Sequence, residues 1–127
     1  MPDVKVYINE HRTGGHVLLE DELPEIVAEQ MSCTVDGEFY KLDPSDEIDL
    51  FVIFYTHDFE LGEEGVMLDS KTDILVEVAA YDFPDRMSNI TERITNIADG
   101  VKKLFGVIDP SVSITFIPVR QGCWVKV

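Results

Sequence analysis

Residues 74–118 read ILVEVAAYDFPDRMSNITERITNIADGVKKLFGVIDPSVSITFIP, and this stretch carries the clearest signal for the fold. It opens with an apolar run, Ile74 to Ala79, and closes with another, Val112 to Pro118, and both predict strands. Between them apolar residues recur every three or four positions, which predicts one amphipathic helix. Its apolar face holds Ile90, Ile94, Ile97, Ala98, Val101, Leu104 and Phe105. The stretch is therefore a strand–helix–strand unit.

The boundaries of this helix also have sequence signals. Ser88 or Asn89 can cap its start, and Asn89 with Glu92 has the spacing of a capping box. Gly106 can close its last turn. Gly100 lies inside the helix, where glycine is expected to cost about 1 kcal/mol relative to alanine.

The first half of the chain repeats the same order of elements. Residues 4–8 alternate between apolar and polar side chains, which predicts a half-buried strand. A helix is predicted between His16 and Ser32, where Pro24 either begins a second helical piece or kinks a longer one. Ile48 to Tyr55 is nearly all apolar and predicts a buried strand.

A repeated tripeptide indicates that the two halves are duplicates. Asp43-Pro44-Ser45 and Asp109-Pro110-Ser111 each begin five residues before a strand isoleucine, although Asp-Pro-Ser is also a common turn that can recur by coincidence. Duplication predicts a single α/β (α+β) domain over residues 1–127, with units at about 1–66 and 67–127. Right-handed crossovers would then give a four-stranded sheet with both helices on one face. The other face would remain apolar, which predicts an oligomer.

Composition bounds the class of partner and the compartment. The chain has 127 residues, 45% of them hydrophobic, and a formal net charge of −15. That charge argues against nucleic acid and anionic membranes, because phosphate contacts need lysine and arginine. The first fifteen residues form no apolar signal segment, and the longest apolar run is too short to span a bilayer. We therefore expect a cytoplasmic protein that binds neither membrane nor nucleic acid.

The cysteines and histidines indicate neither a disulfide nor a metal site. Cys33 and Cys123 form no C-x-x-C pair and are expected to be free thiols in a reducing compartment. His11, His16 and His57 lack the spacing of metal-binding motifs, so no metal is expected.

The chain begins with Met1-Pro2, which raises the possibility of an amine catalyst. Aminopeptidases commonly remove an initiator methionine before a small residue, which would leave Pro2 as a free secondary amine. An α-amino group titrates at about 7.7–8.0, and apolar walls or a nearby arginine would lower that pKa. Such an amine can act as a general base near neutral pH. A proline at this position also arises by chance.

Arg12 follows Pro2 by ten residues, where the first strand gives way to the helix. This arrangement resembles the tautomerase superfamily, which includes 4-oxalocrotonate tautomerase, 5-carboxymethyl-2-hydroxymuconate isomerase and macrophage migration inhibitory factor. The resemblance implies that Pro2 is the catalytic base and that Arg12 binds a substrate carboxylate by bidentate hydrogen bonds. Considered alone, Arg12 fits a solvated turn equally well.

The second half extends this resemblance. Val76 to Arg86 repeats the strand-to-arginine spacing, and Trp124 follows the last strand. The resemblance implies that Trp124 forms a hydrophobic wall of the active site, although the residue alone could equally cover the core or an oligomer contact. The length and the two units resemble the trimeric branch, which implies a homotrimer that works without a cofactor.

One feature departs from the resemblance. The bacterial isomerase has a second arginine at the start of its last strand, whereas Ser113 and Glu47 stand at the corresponding places of the two units here. Neither can polarise a carbonyl as a cation would. A hydroxyl such as Tyr7 or Tyr40, or an ordered water, would then have to stabilise the dienolate.

Three functions are compatible with this sequence. The first is a tautomerase-like isomerase that uses Pro2 for keto–enol proton transfer on a small unsaturated 2-oxo compound, with Arg12, Tyr7 and Trp124 around the substrate. The second is a non-catalytic binding or interaction protein on the same fold. The third is hydrolytic chemistry assisted by a charged proline. Retention of Met1 would exclude Pro2 as the base.

Overall fold

Four long strands form the main sheet of the computed structural model, which describes residues 2–9, 19–55, 72–105 and 110–120. Along the chain the elements are β1 (Asp3–Asn9), α1 (Leu19–Met31), β2 (Cys33–Val35), β3 (Glu38–Tyr40), β4 (Asp49–Tyr55), β5 (Ile74–Tyr81), α2 (Pro84–Met87), α3 (Ile90–Leu104) and β6 (Val112–Val119). The sheet order is β4-β1-β5-β6. The expected α+β sheet is thereby confirmed.

The strand directions follow from the two strand–helix–strand units. β1 is parallel to β4, and β5 is parallel to β6. The two units meet at the centre of the sheet, where β1 and β5 are antiparallel. That these units arose by duplication, with a boundary near residue 66, stays a prediction.

The core lies between one face of the sheet and the two long helices. Alternate strand residues point into it, including Val4, Val6 and Ile8 of β1, each 0% exposed. The helices supply Leu19, Leu23, Val27 and Met31 from α1 and Ile97 and Val101 from α3. Each fully buried side chain of this kind stabilises the fold by about 1.5–3 kcal/mol relative to an exposed one.

The opposite face of the sheet is more polar at its centre than the sequence predicts. β1 places Asp3, Lys5 and Tyr7 there, because the apolar residues of this strand alternate with them toward the core. The exposed apolar side chains lie toward the edges, with Phe51 at 57%, Ile53 at 40% and Ile117 at 43% exposure. Within the described ranges, no helix combines the length and the hydropathy that crossing a membrane requires.

The helices differ from the sequence predictions in two details. α1 runs through Pro24 as one helix, so the proline does not begin a new piece. α3 begins after Asn89, but this residue makes no side-chain capping bond, and the predicted capping box is absent. Its Oδ1 instead accepts a hydrogen bond from Arg93 Nε at 2.6 Å.

Gly100 has a packing reason for its place inside α3. A β-carbon there would lie 3.1 Å from Cγ2 of Ile26 on α1, closer than most real contacts. The glycine therefore allows α1 and α3 to approach closely. Gly106, which was predicted to end this helix, lies outside the described residues, and so do all residues after 120.

Candidate functional site

A cavity of about 390 Å³ lies at the end of the sheet where β1 begins. That volume is within the range of small-molecule sites, about 300–1,000 Å³. The described residues that line it are Val35, Tyr40, Leu42, Glu47, Tyr81, Phe83 and Arg86. Most of these side chains are apolar or aromatic, and two carry opposite charges.

The strand register places Pro2 at the same end of the sheet as this cavity, although Pro2 is not among the residues that line it. The carbonyl oxygen of Pro2 accepts a hydrogen bond from Asp49 N at 3.0 Å, and Asp3 pairs with Asp49 on one side and Ala79 on the other. One residue further toward the amino end, Pro2 therefore lies between the start of β4 and the end of β5. Pro2 is buried.

The cavity walls continue from the same two strands. Glu47 comes just before β4, and Tyr81 is the last residue of β5. Because β1 lies between β4 and β5, these two lining residues flank the first residues of β1. The cavity therefore lies at the end of the sheet where β1 begins.

Arg86 forms one end of the cavity and is 3% exposed. Its Nε and Nη2 donate to Met31 O at 2.9 and 2.6 Å, and Nη1 donates to Tyr81 O at 2.8 Å. Met31 is the last residue of α1, so the guanidinium caps a helix carboxyl end, which carries partial negative charge. The guanidinium carbon Cζ of Arg86 also lies 5.4 Å from the ring centre of Phe83.

The charge of Arg86 is held mainly by neutral groups. Within the described ranges no carboxylate forms an ion pair with it. Burial lowers the pKa of Arg86, and the nearby Cys33 acts in the opposite direction. A buried cation held only by carbonyl oxygens and an aromatic ring attracts an anion, because burying an unpaired charge is costly.

Glu47 forms the other polar wall and is fixed by two donors. Its Oε2 accepts from the Tyr40 hydroxyl at 2.6 Å, and its Oε1 accepts from Asp43 N at 3.0 Å. The hydrogen bond to this carboxylate raises the pKa of Tyr40.

The β2–β3 hairpin supplies a further wall, through Val35 and Tyr40. Asp36 and Gly37 form its two-residue turn with φ of +51° and +85°, as a type I′ turn requires. Thr34 N donates to Asp85 Oδ2 at 2.7 Å, which ties the hairpin to α2. The sequence analysis missed this hairpin, although the Asp-Gly pair between short β-forming runs was the signal that could have revealed it.

Among the described residues, the structure does not bring the sequence-predicted site residues together. Pro2 is buried at the start of β1, whereas Tyr7 lies on the open face of the sheet, where desolvation and then the negative charge of Glu77 raise its pKa. Arg12 and Trp124 fall outside the described residues. Their roles, and that of Tyr7, stay predictions.

From the sequence, Arg86 marks only a spacing, Glu47 a departure from the family pattern and Tyr40 an alternative hydroxyl. In the structure all three line the same cavity. Ser113, the other departure, lies at the opposite end of the sheet, with its Oγ 3.3 Å from Thr72 Oγ1.

Comparison with solved structures identifies similar folds. A fused 4-OT, described as a wild-type asymmetric trimer, matches with a TM-score of 0.64 at 10% identity, covering 98% of this chain and 92% of that one. Macrophage migration inhibitory factor from Oncomelania hupensis matches with a TM-score of 0.56 at 15% identity, covering 94% and 74%. A malonate semialdehyde decarboxylase inhibited by 3-bromopropiolate matches at 0.51 and 13% identity, covering 98% and 88%.

These proteins are members of the tautomerase superfamily, so the resemblance in fold is confirmed. No family model matches the sequence, and no curated protein matches it either. At these identities the likeness establishes the fold alone.

Proposed function

We propose that this protein is a cofactor-independent tautomerase in which Pro2 is the general base. The observation that carries the proposal is a cavity at the end of the sheet where β1 begins, lined by Glu47 and Tyr81 from the two strands that flank Pro2. The fold likeness to tautomerase-superfamily enzymes supports it. The proposal requires removal of Met1, since only then is the Pro2 nitrogen a free secondary amine.

The proposed reaction is a keto–enol proton transfer on a small unsaturated 2-oxo acid. The Pro2 nitrogen takes a proton from the carbon next to the carbonyl, the electron pair moves into a dienolate, and a proton returns either to the oxygen, which gives the dienol, or to a different carbon, which gives the isomeric ketone. Ketonisation of an enol is the first of these transfers in reverse. In this proposal Arg12 and Tyr7 bind and orient the substrate and Trp124 shields it. No atom is gained or lost overall, so the reaction is an isomerisation.

The proposed assembly is a homotrimer. The apolar side chains on the open sheet face support this proposal, because Phe51, Ile53 and Ile117 would be covered by neighbouring copies. The fused 4-OT neighbours are themselves described as trimers. Sedimentation equilibrium tests it, and a monomer at micromolar concentration would contradict it.

The test of the catalytic proposal begins with the amino terminus. Intact mass should show the loss of Met1, and the protein should then ketonise phenylenolpyruvate. Pro2→Ala should lower this turnover by about 10²-fold or more, as expected for loss of a general base. Pro24→Ala is the matched control, because it removes a proline within α1 and away from this cavity. Retained Met1, or equal turnover in Pro2→Ala, would exclude the mechanism.

A non-catalytic binding role is the second candidate. Glu47 favours it, because a carboxylate on the cavity wall opposes the build-up of negative charge on a dienolate. This role predicts ligand binding without turnover in the same protein, whether or not Met1 is removed.

A further inference from the structure

The cavity carries two opposite charges that do not neutralise each other. Arg86 and Glu47 both line it, yet within the described residues they form no ion pair. Unlike charges that share an apolar pocket without pairing are each available to a ligand. A ligand that pairs with both side chains therefore carries one negative and one positive charge.

Arg86 has donors left for such a ligand. A guanidinium has five N–H groups, and the bonds to Met31 O and Tyr81 O use Nε–H and one N–H on each terminal nitrogen. One N–H on each terminal nitrogen therefore lacks an acceptor among the described residues. Each of these donors can form a charge-assisted hydrogen bond to a carboxylate oxygen.

Glu47 has acceptor capacity left in the same way. Tyr40 and Asp43 N each donate to one of its oxygens, and each carboxylate oxygen can accept a second bond. Because the two donors fix the rotamer, the carboxylate is oriented before a ligand arrives. An ammonium group is the complementary ligand group.

The strand order separates these two groups. Glu47 precedes β4 and Tyr81, whose carbonyl holds Arg86, ends β5, with β1 between these strands. Two strand spacings separate the backbones of Glu47 and Tyr81 by about 10 Å. Charged side chains held from strands on either side of β1 fit a ligand whose charges lie at opposite ends of an apolar body.

We propose that this cavity binds a small zwitterion, with its carboxylate at Arg86, its ammonium group at Glu47 and its apolar body against Val35, Leu42 and Phe83. The proposal deepens the proposed function, since it implies that the 2-oxo substrate also carries an amino group. A ligand of zero net charge also avoids the repulsion that an anion meets from a protein of formal charge −15.

Isothermal titration calorimetry with three probes of one shape tests the proposal. The probes are 4-(aminomethyl)benzoate, which carries both charges at opposite ends of a ring, 4-methylbenzoate, which lacks the ammonium group, and benzylamine, which lacks the carboxylate. The zwitterion should bind at least about tenfold more tightly than either singly charged probe, as one charge-assisted hydrogen bond provides.

Glu47→Gln tests the assigned partner. It should remove the advantage of 4-(aminomethyl)benzoate over 4-methylbenzoate and leave the affinity for 4-methylbenzoate within about twofold. Glu38→Gln is the matched control, because it makes the same change at an exposed position of the β2–β3 hairpin that does not line the cavity, and it should keep the advantage. Equal affinities for the first two probes, or an advantage that survives Glu47→Gln, would overturn the proposal.

The binding test is independent of catalysis. Pro2→Ala should keep the preference for the zwitterion even if it abolishes turnover. A protein that turns over phenylenolpyruvate but shows no zwitterion preference would retain the proposed function and lose only this inference.

Discussion

Replacing Arg86 with methionine is expected to destabilise the fold by about 3 kcal/mol. Methionine has a similar length and no charge, so the substitution removes the guanidinium and keeps much of the packing. Its principal effect is on two backbone acceptors, Met31 O and Tyr81 O. These acceptors belong to opposite halves of the chain, so losing their hydrogen bonds to Arg86 also weakens the contact between the halves.

The magnitude follows from opposing effects. Hydrogen bonds from a charged donor contribute about 1.5–3 kcal/mol each, so two acceptors that lose their donors give roughly 3–6 kcal/mol. Methionine avoids the desolvation of the buried guanidinium, which offsets part of that loss. Water in the cavity can also reach acceptors at its wall. The lower end of the range is therefore expected.

Urea unfolding followed by far-ultraviolet circular dichroism measures this loss as the change in free energy of unfolding. Arg120→Met is the matched control, because Arg120 is exposed just after β6 and its replacement should change stability by less than about 0.5 kcal/mol. If Arg86→Met and Arg120→Met differ by less than 1 kcal/mol, roughly the value of one ordinary hydrogen bond, the assignment of Arg86 as a structural clamp is refuted.

Three further predictions concern other sites. Desolvation raises the pKa of Asp3, so its ionised form destabilises the fold above that pKa. Asp3→Asn should therefore raise the free energy of unfolding at pH 7 and lose this advantage below about pH 3.9, the unfolded-state value. Urea unfolding that shows no pH-dependent difference between the two proteins would contradict this. Glu47→Gln should return the raised pKa of Tyr40 toward about 10, and an ultraviolet difference titration identical to wild type would refute the coupling. Gly100→Ala should stabilise the fold by less than the roughly 1 kcal/mol expected from helix propensity, because the alanine β-carbon would crowd Ile26. A double-mutant cycle with Ile26→Ala that shows no coupling would rule this out.

The main elements of the fold could be predicted because their signals are local. The period of two in β1 and the three-to-four-residue spacing in α3 each report which face is buried, whatever that face packs against. The parallel pairing of the two strands within each unit followed from the strand–helix–strand order and the handedness of crossovers. The β2–β3 hairpin was missed because its strands have three residues each, too few to show a period.

The candidate site could be predicted only in part. Pro2 was predicted from the family resemblance, and its role stays a prediction. Glu47 and Tyr40 were weighed only for what the family pattern lacks, because a hydrogen bond between side chains has no periodic trace in a sequence. Their contact at 2.6 Å depends on the hairpin that the analysis missed.

The sequence by itself determined the type and order along the chain of the principal elements, since hydrophobic periodicity records burial residue by residue, while the antiparallel meeting of β1 and β5 appears only in the structure. The tertiary structure decided what the arginine at the start of the second crossover does. Arg86 caps a helix 55 residues away along the chain and lines a cavity with Glu47. Whether a charged side chain faces water, a carbonyl or a pocket depends on which distant segments meet around it, and no local pattern contains that information.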